Sequence, residues 1–139
     1  MSESDPLNVV LFSGTDDRLQ AAAVLVAGAA ALGRPVNVFL QYWALDAFRA
    51  DHIRRDHGLA PEAGPEGRKA VDDLARAGQA TWASTLRQAK DLGGVDIEAC
   101  SLSMDLLHLD QADLDPLVDG VEGVTSFYLN AGEGQILFI

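Results

Sequence analysis

The stretch that most constrains the fold of this 139-residue chain is Val95 to Leu109, Val-Asp-Ile-Glu-Ala-Cys-Ser-Leu-Ser-Met-Asp-Leu-Leu-His-Leu. Val95, Ile97 and Ala99 alternate with Asp96 and Glu98, the period of two expected of a strand. Cys100, the only cysteine, stands where that run ends. Ser101 and Ser103 then offer caps for a turn or short helix, with Leu102, Leu106, Leu107 and Leu109 as its apolar side. A thiol at the carboxyl end of a strand, just ahead of backbone N–H groups that open a helix, sits where α/β proteins commonly build sites. Parity adds to this. Cys100 is in step with Asp96 and Glu98, not with Val95, Ile97 and Ala99, so it is expected on the polar face and reactive. The competing reading, a free cysteine that merely packs, stays open. No adjacent histidine supplies a base, and His108 approaches only if the intervening segment is helical.

The chain before this stretch reads as alternating strands and helices. Leu7 to Phe12 is a nearly continuous apolar run, as in a strand covered on both faces. Thr15 or Asp16 then caps a helix over Asp17 to Leu32, rich in Ala, Leu and Val and stopped by Gly33. A helix apolar around its circumference needs cover on more than one side, which points to self-association. Pro35 to Gln41 gives a second strand, parallel to the first through a right-handed crossover. Tyr42 and Trp43 follow it directly. They are either a packing plug or a wall of the site beside Cys100, since both segments end neighbouring parallel strands.

A charged surface excursion follows at about 46–79, broken by Gly58, Pro61, Gly64, Pro65, Gly67 and Gly78, with a helical piece around Arg68 to Ala77. Eight of the ten basic residues fall between Arg49 and Lys90, so this part is either a solvated face or a cationic flap for an anionic donor or partner near Cys100. Thr81 to Leu92 is an amphipathic helix with Trp82, Leu86 and Ala89 inward. Beyond Cys100 the pattern predicts a helix over Asp110 to Val118, a stub of strand at 119–123, a helix over Val124 to Ala131 and a last strand over Gln135 to Ile139. The expected architecture is a single α/β domain over 1–139, a five-stranded, mostly parallel sheet sandwiched by helices.

Composition excludes several functions. A net charge of −11 argues against nucleic acid and anionic membrane surfaces. One cysteine forbids an internal disulfide and fits a reducing, cytoplasmic setting. The acidic start is no signal peptide, and Ala21 to Leu32 is too short to span a membrane. Gly14 alone does not make a dinucleotide loop, and Asp16 and Asp17 would repel a pyrophosphate. His52 and His57, five apart and flanking Arg54 and Arg55, do not have the spacing of a zinc site and read as surface histidines. No cofactor or metal is expected.

Glu98-Ala99-Cys100-Ser101-Leu102-Ser103-Met104-Asp105-Leu106 resembles the DsrE/DsrF-like family of sulfur-relay proteins. The resemblance extends to the first strand and alanine-rich helix, Val38-Phe39, Trp43-Ala44-Leu45, Asp119-Gly120-Val121 and Leu137-Phe138-Ile139, while Leu107-His108 and the 60–67 loop depart from it. It implies a five-stranded parallel α/β sandwich, homo-oligomeric assembly as a trimer or hexamer, and a cysteine, here Cys100, that carries sulfane sulfur as a persulfide. Tyr42, Trp43, Ser101, Ser103, Met104, Asp105 and His108 would form the surrounding site, and the partner would be another thiol-bearing carrier such as a TusA-like protein. One cysteine suffices for such a relay, because the second thiol belongs to the partner; a two-cysteine peroxide reductase would need its own resolving thiol. The alternative is a non-catalytic oligomeric binding protein with a structural cysteine.

Overall fold

Five short strands, β1 (Leu7–Leu11), β2 (Val36–Leu40), β3 (Val95–Cys100), β4 (Gly120–Glu122) and β5 (Ile136–Phe138), form one sheet in the order β4-β3-β2-β1-β5. Every pairing is parallel. The computed structural model describes residues 5–139, so part of the acidic start lies outside it. Among the described residues, no helix is long and apolar enough to cross a membrane.

Strand parity divides the side chains between two unequal faces. Leu7, Val9, Leu11, Val36, Val38, Leu40, Ile97 and Ala99 join the main core, which α1 (Asp16–Ala31) and α4 (Trp82–Leu92) cover. Leu19, Ala22, Ala23, Val26, Ala29 and Ala30 of α1 are buried there, as are Trp82, Leu86 and Ala89 of α4. The alanines matter because small side chains let two helices lie close together over the sheet. Two short helices complete this side at the carboxyl edge. Ala44, Leu45 and Ala47 of α2 (Tyr42–Ala47) and Met104 of α5 (Ser101–Leu106) reach the same core.

The second face has a single cover, α6 (Val124–Ala131), which returns the chain from β4 at one edge to β5 at the other. Its Phe127 stacks on Phe39, centroids 4.9 Å apart, in a small cluster with Val10 and Cys100. Asn8, fully buried, fixes this return. Its Nδ2 donates to the carbonyls of Pro6, Ala131 and Gln135, and its Oδ1 accepts from Asn37 Nδ2. Asn37 in turn donates to the Asn130 carbonyl. A Cβ on Gly134 would lie 2.0 Å from the Pro6 oxygen, so only glycine allows the close approach.

Between β2 and β3 the excursion holds a loop and α3 (Gly64–Arg76), longer at its start than the sequence pattern indicates. The loop is tied to the start of α1. Asp16 accepts from the His57 N–H and the Trp82 indole, and Asp17 from the Ala60 N–H. The helix expected over 110–118 is a correction. Only a 3-10 turn forms, at Gln111–Asp113, followed by irregular chain. Leu114, Leu117 and Val118 have helical spacing and are buried, but Pro116 removes a donor and Asp115 accepts from the Leu117 N–H.

Replacing Asn8 by Leu should lower the unfolding free energy by about 2 kcal/mol, because it removes the buried amide that ties Pro6, Ala131 and Gln135 together and takes the Oδ1 acceptor away from Asn37 Nδ2. Denaturant midpoints would register the loss, and amide exchange should quicken first in α6 and β5. An unchanged midpoint would show that Asn8 is dispensable.

Candidate functional site

Cys100 is the last residue of β3 and the residue before α5, as the strand period requires. Its side chain projects to the second face together with Asp96 and Glu98. Its surroundings there differ from expectation. Cys100 is 5% exposed, enclosed by Val10, Phe39 and Phe127, because α6 comes down over the carboxyl end of the face that alternation marks as polar. Polar parity therefore holds while exposure does not.

Acidic groups occupy the part of that face formed by β3 and β4. Glu122 is the register partner of Cys100 on β4, and Gly120 is that of Glu98. The Glu98 carboxyl lies over Gly120, where a Cβ would meet its oxygens at 3.0 and 3.1 Å, and its Oε2 is buried without a partner among the described residues. Burial, then repulsion from Asp96, Glu122 and Asp119, pushes Glu98 up to about 7, with Lys90 partly offsetting this. Asp96 is raised by burial and by Asp119; Glu122 is raised by burial and by Asp96, against the hydrogen bond from Asn130. Glu122 escaped sequence reasoning, since three residues of strand carry too little pattern to fix a register.

The other predicted site residues separate into two groups. The Tyr42 N–H donates to Ser103 Oγ at 3.0 Å, which joins α2 to α5, and the Tyr42 ring packs on Phe12 at 5.0 Å. Tyr42 has φ 46°, a left-handed conformation rare for an aromatic residue. Trp43 meets Tyr42 edge-on at 6.0 Å and is exposed. Its carbonyl presses on Gly14, where a Cβ would come within 2.4 Å of it. Gly14 therefore serves close packing of the loop after β1. Ser103 is fully buried with its hydroxyl engaged, and Met104 belongs to the main core, so neither joins the cluster around the thiol. Ser101, Asp105 and His108 are exposed on and after α5, and His108 ends that segment with φ 54°.

The histidines and arginines of the excursion also differ from the sequence reading. His52 and His57 are half-buried; His52 Nδ1 lies 3.2 Å from Asp46, and His57 packs on the Trp82 ring. Arg49 pairs with Asp51, Arg68 with Asp56 and Asp72, and Lys69 and Arg76 with Asp73. Among the described residues, no group of histidine, cysteine and carboxylate side chains has the arrangement of a metal site.

Known proteins are similar to this chain in sequence and in fold. The model of the DsrE/DsrF/DrsH-like family matches residues 3–63. The uncharacterized protein YrkE of Bacillus subtilis (strain 168) is 27% identical, with 94% of each chain covered. Two solved structures share the fold. The ychN protein from E. coli has a TM-score of 0.55 at 14% identity, covering 98% of this chain and 99% of its own. MTH1491 from Methanobacterium thermoautotrophicum, described as of unknown function, has a TM-score of 0.51 at 16% identity, covering 96% and 98%.

A carboxyl that holds its proton more tightly in the folded than in the unfolded chain stabilises the fold fully below its ordinary value of 4.5. That contribution disappears as the pH rises through about 7. The melting temperature should therefore fall between pH 5 and pH 8, and Glu98→Gln should lessen the fall. Parallel profiles for the two proteins would show that Glu98 ionises freely.

Proposed function

We propose that this chain, DsrE/DsrF/DrsH-like over residues 3–63, is a sulfur carrier that holds sulfane sulfur on Cys100 and passes it to a partner thiol in a cytoplasmic relay. The observation that carries the reading is the position of Cys100 at the carboxyl edge of a parallel sheet, between β3 and α5. In loading, the Cys100 thiolate attacks the outer sulfur of a donor persulfide, R–S–SH. A new S–S bond forms to Cys100, the donor's own S–S bond breaks, and R–S⁻ leaves. Unloading is the same exchange in reverse, with the acceptor's thiolate attacking the outer sulfur of Cys100–S–SH and Cys100 leaving as thiolate. No oxidant is consumed, and the one cysteine of the chain suffices.

Burial bears on this reading in two ways. The cover of Val10, Phe39 and Phe127 shields a bound persulfide from water and small oxidants, and it obliges Phe127 to move for the sulfur to be transferred. The same burial favours the second reading, in which the cysteine only packs. Self-association belongs to the proposal, because α1 leaves Val24 57% exposed, α6 leaves Leu129 78% exposed and β5 leaves Phe138 69% exposed. A thiol-bearing carrier of the TusA type would be the partner.

Intact-mass measurement after incubation with cysteine persulfide should show one added sulfur atom per chain, removed by dithiothreitol and absent from Cys100→Ser. Light scattering of the same samples should give a mass several times that of one chain. A wild-type protein that never acquires sulfur would leave Cys100 structural.

A further inference from the structure

A second candidate site lies on the other side of the sheet from Cys100. A cavity of about 630 Å³ opens between α3, the start of α1 and the start of α4, within the range of small-molecule sites. Its lining includes Ile53, Val71, Leu74, Ala75, Trp82 and Ala83. Although α3 is amphipathic, none of its residues is buried, and Leu74 remains 49% exposed above the cavity. The apolar side of the helix therefore faces space that the protein itself does not fill.

Most of the charged groups around this space are already paired. The Trp82 indole N–H is held by Asp16, so its ring offers only apolar surface. Asp16 also accepts from the His57 N–H, and Asp17 accepts from the Ala60 N–H. Arg68 is paired with Asp56 and Asp72, and Arg87 with Asp115. The Gln20 and Gln79 side chains also line the space, neutral and without a partner among the described residues, and Arg54 and Arg55 are the charged groups left over. Both line the cavity, both are exposed, and neither guanidinium has a hydrogen bond or ion pair among the described residues. An apolar strip from Trp82 to Leu74, with a pair of free guanidinium groups at its rim, is complementary to one kind of molecule.

We propose that this cavity binds an aliphatic carboxylate, its chain lying between Trp82 and the Val71–Leu74 side of α3 and its carboxylate held by Arg54 and Arg55. Guanidinium groups suit that head because their paired N–H donors match two carboxylate oxygens. The chain gains by leaving water for the Trp82 ring and the Val71 and Leu74 side chains. The site is separate from Cys100 and does not depend on the sulfur-carrier reading.

Isothermal titration with dodecanoate tests it, together with quenching of Trp82 fluorescence in a Trp43→Phe background. Dodecanoate should bind with micromolar affinity, while dodecanol and dodecyltrimethylammonium bind much more weakly. Arg54→Gln/Arg55→Gln, at two exposed positions, should weaken dodecanoate roughly five- to tenfold. Ala75→Phe should fill the space and abolish binding, and Cys100→Ser should leave it unchanged. Equal affinity for dodecanol, no effect of the arginine substitutions, or no heat and no Trp82 response at millimolar dodecanoate would each overturn the proposal.

Discussion

The buried amide of Asn8 is the interaction on which the second face of this sheet depends. A parallel sheet needs cover on both sides, and here one side has two long helices while the other has only the eight residues of α6. So short a helix contributes little by propensity and must be held by tertiary contacts. Asn8 holds it by donating to the carbonyls of Ala131 and Gln135, at the end of α6 and the start of β5. Phe127 is thereby brought onto Phe39, and Cys100 is enclosed beside the stacked pair. A polar residue near the start of β1 thus shapes the environment of a thiol two strands away on the same face.

Much of this was legible in the sequence. The apolar runs gave the strands, the alanine-rich segment gave α1, and alternation assigned Cys100 correctly to the face shared with Asp96 and Glu98. What alternation could not give was the identity of whatever covers that face. Val124–Ala131 reads as a helix from its own residues, but its landing place follows from β5 pairing with β1, and strand order across a sheet is not a local property. The irregular segment after Gln111–Asp113 misled for the opposite reason. Leu114, Leu117 and Val118 are buried at helical spacing because the core needs them, whatever the backbone between them does.

Charge was the least legible element. The cluster of basic residues between Arg49 and Lys90 suggests a cationic flap, yet nearly all of it is neutralised by neighbouring aspartates, several of them three or four residues away on α3. Counting charges along the sequence cannot distinguish a paired arginine from a free one. Only the geometry isolates Arg54 and Arg55, and it puts them beside a cavity over α1 and α4, not on the face that holds Cys100. Of the two readings of the excursion, a solvated face or a cationic flap beside the thiol, the exposed ion pairs fit the first.

The proposed role makes Cys100 a working thiol whose access α6 controls. The rate of native Cys100 alkylation by iodoacetamide, compared between the wild type and Phe127→Leu, tests it most directly. Leucine keeps the apolar cover but gives up the stack on Phe39, at a cost the fold should withstand. The account predicts slow alkylation in the wild type, a rate at least several-fold higher in the variant, and sulfur loading from a persulfide donor that quickens in parallel. Alkylation that is equally fast in both proteins would contradict the control by α6, and faster alkylation without any sulfur uptake would contradict the role of the thiol.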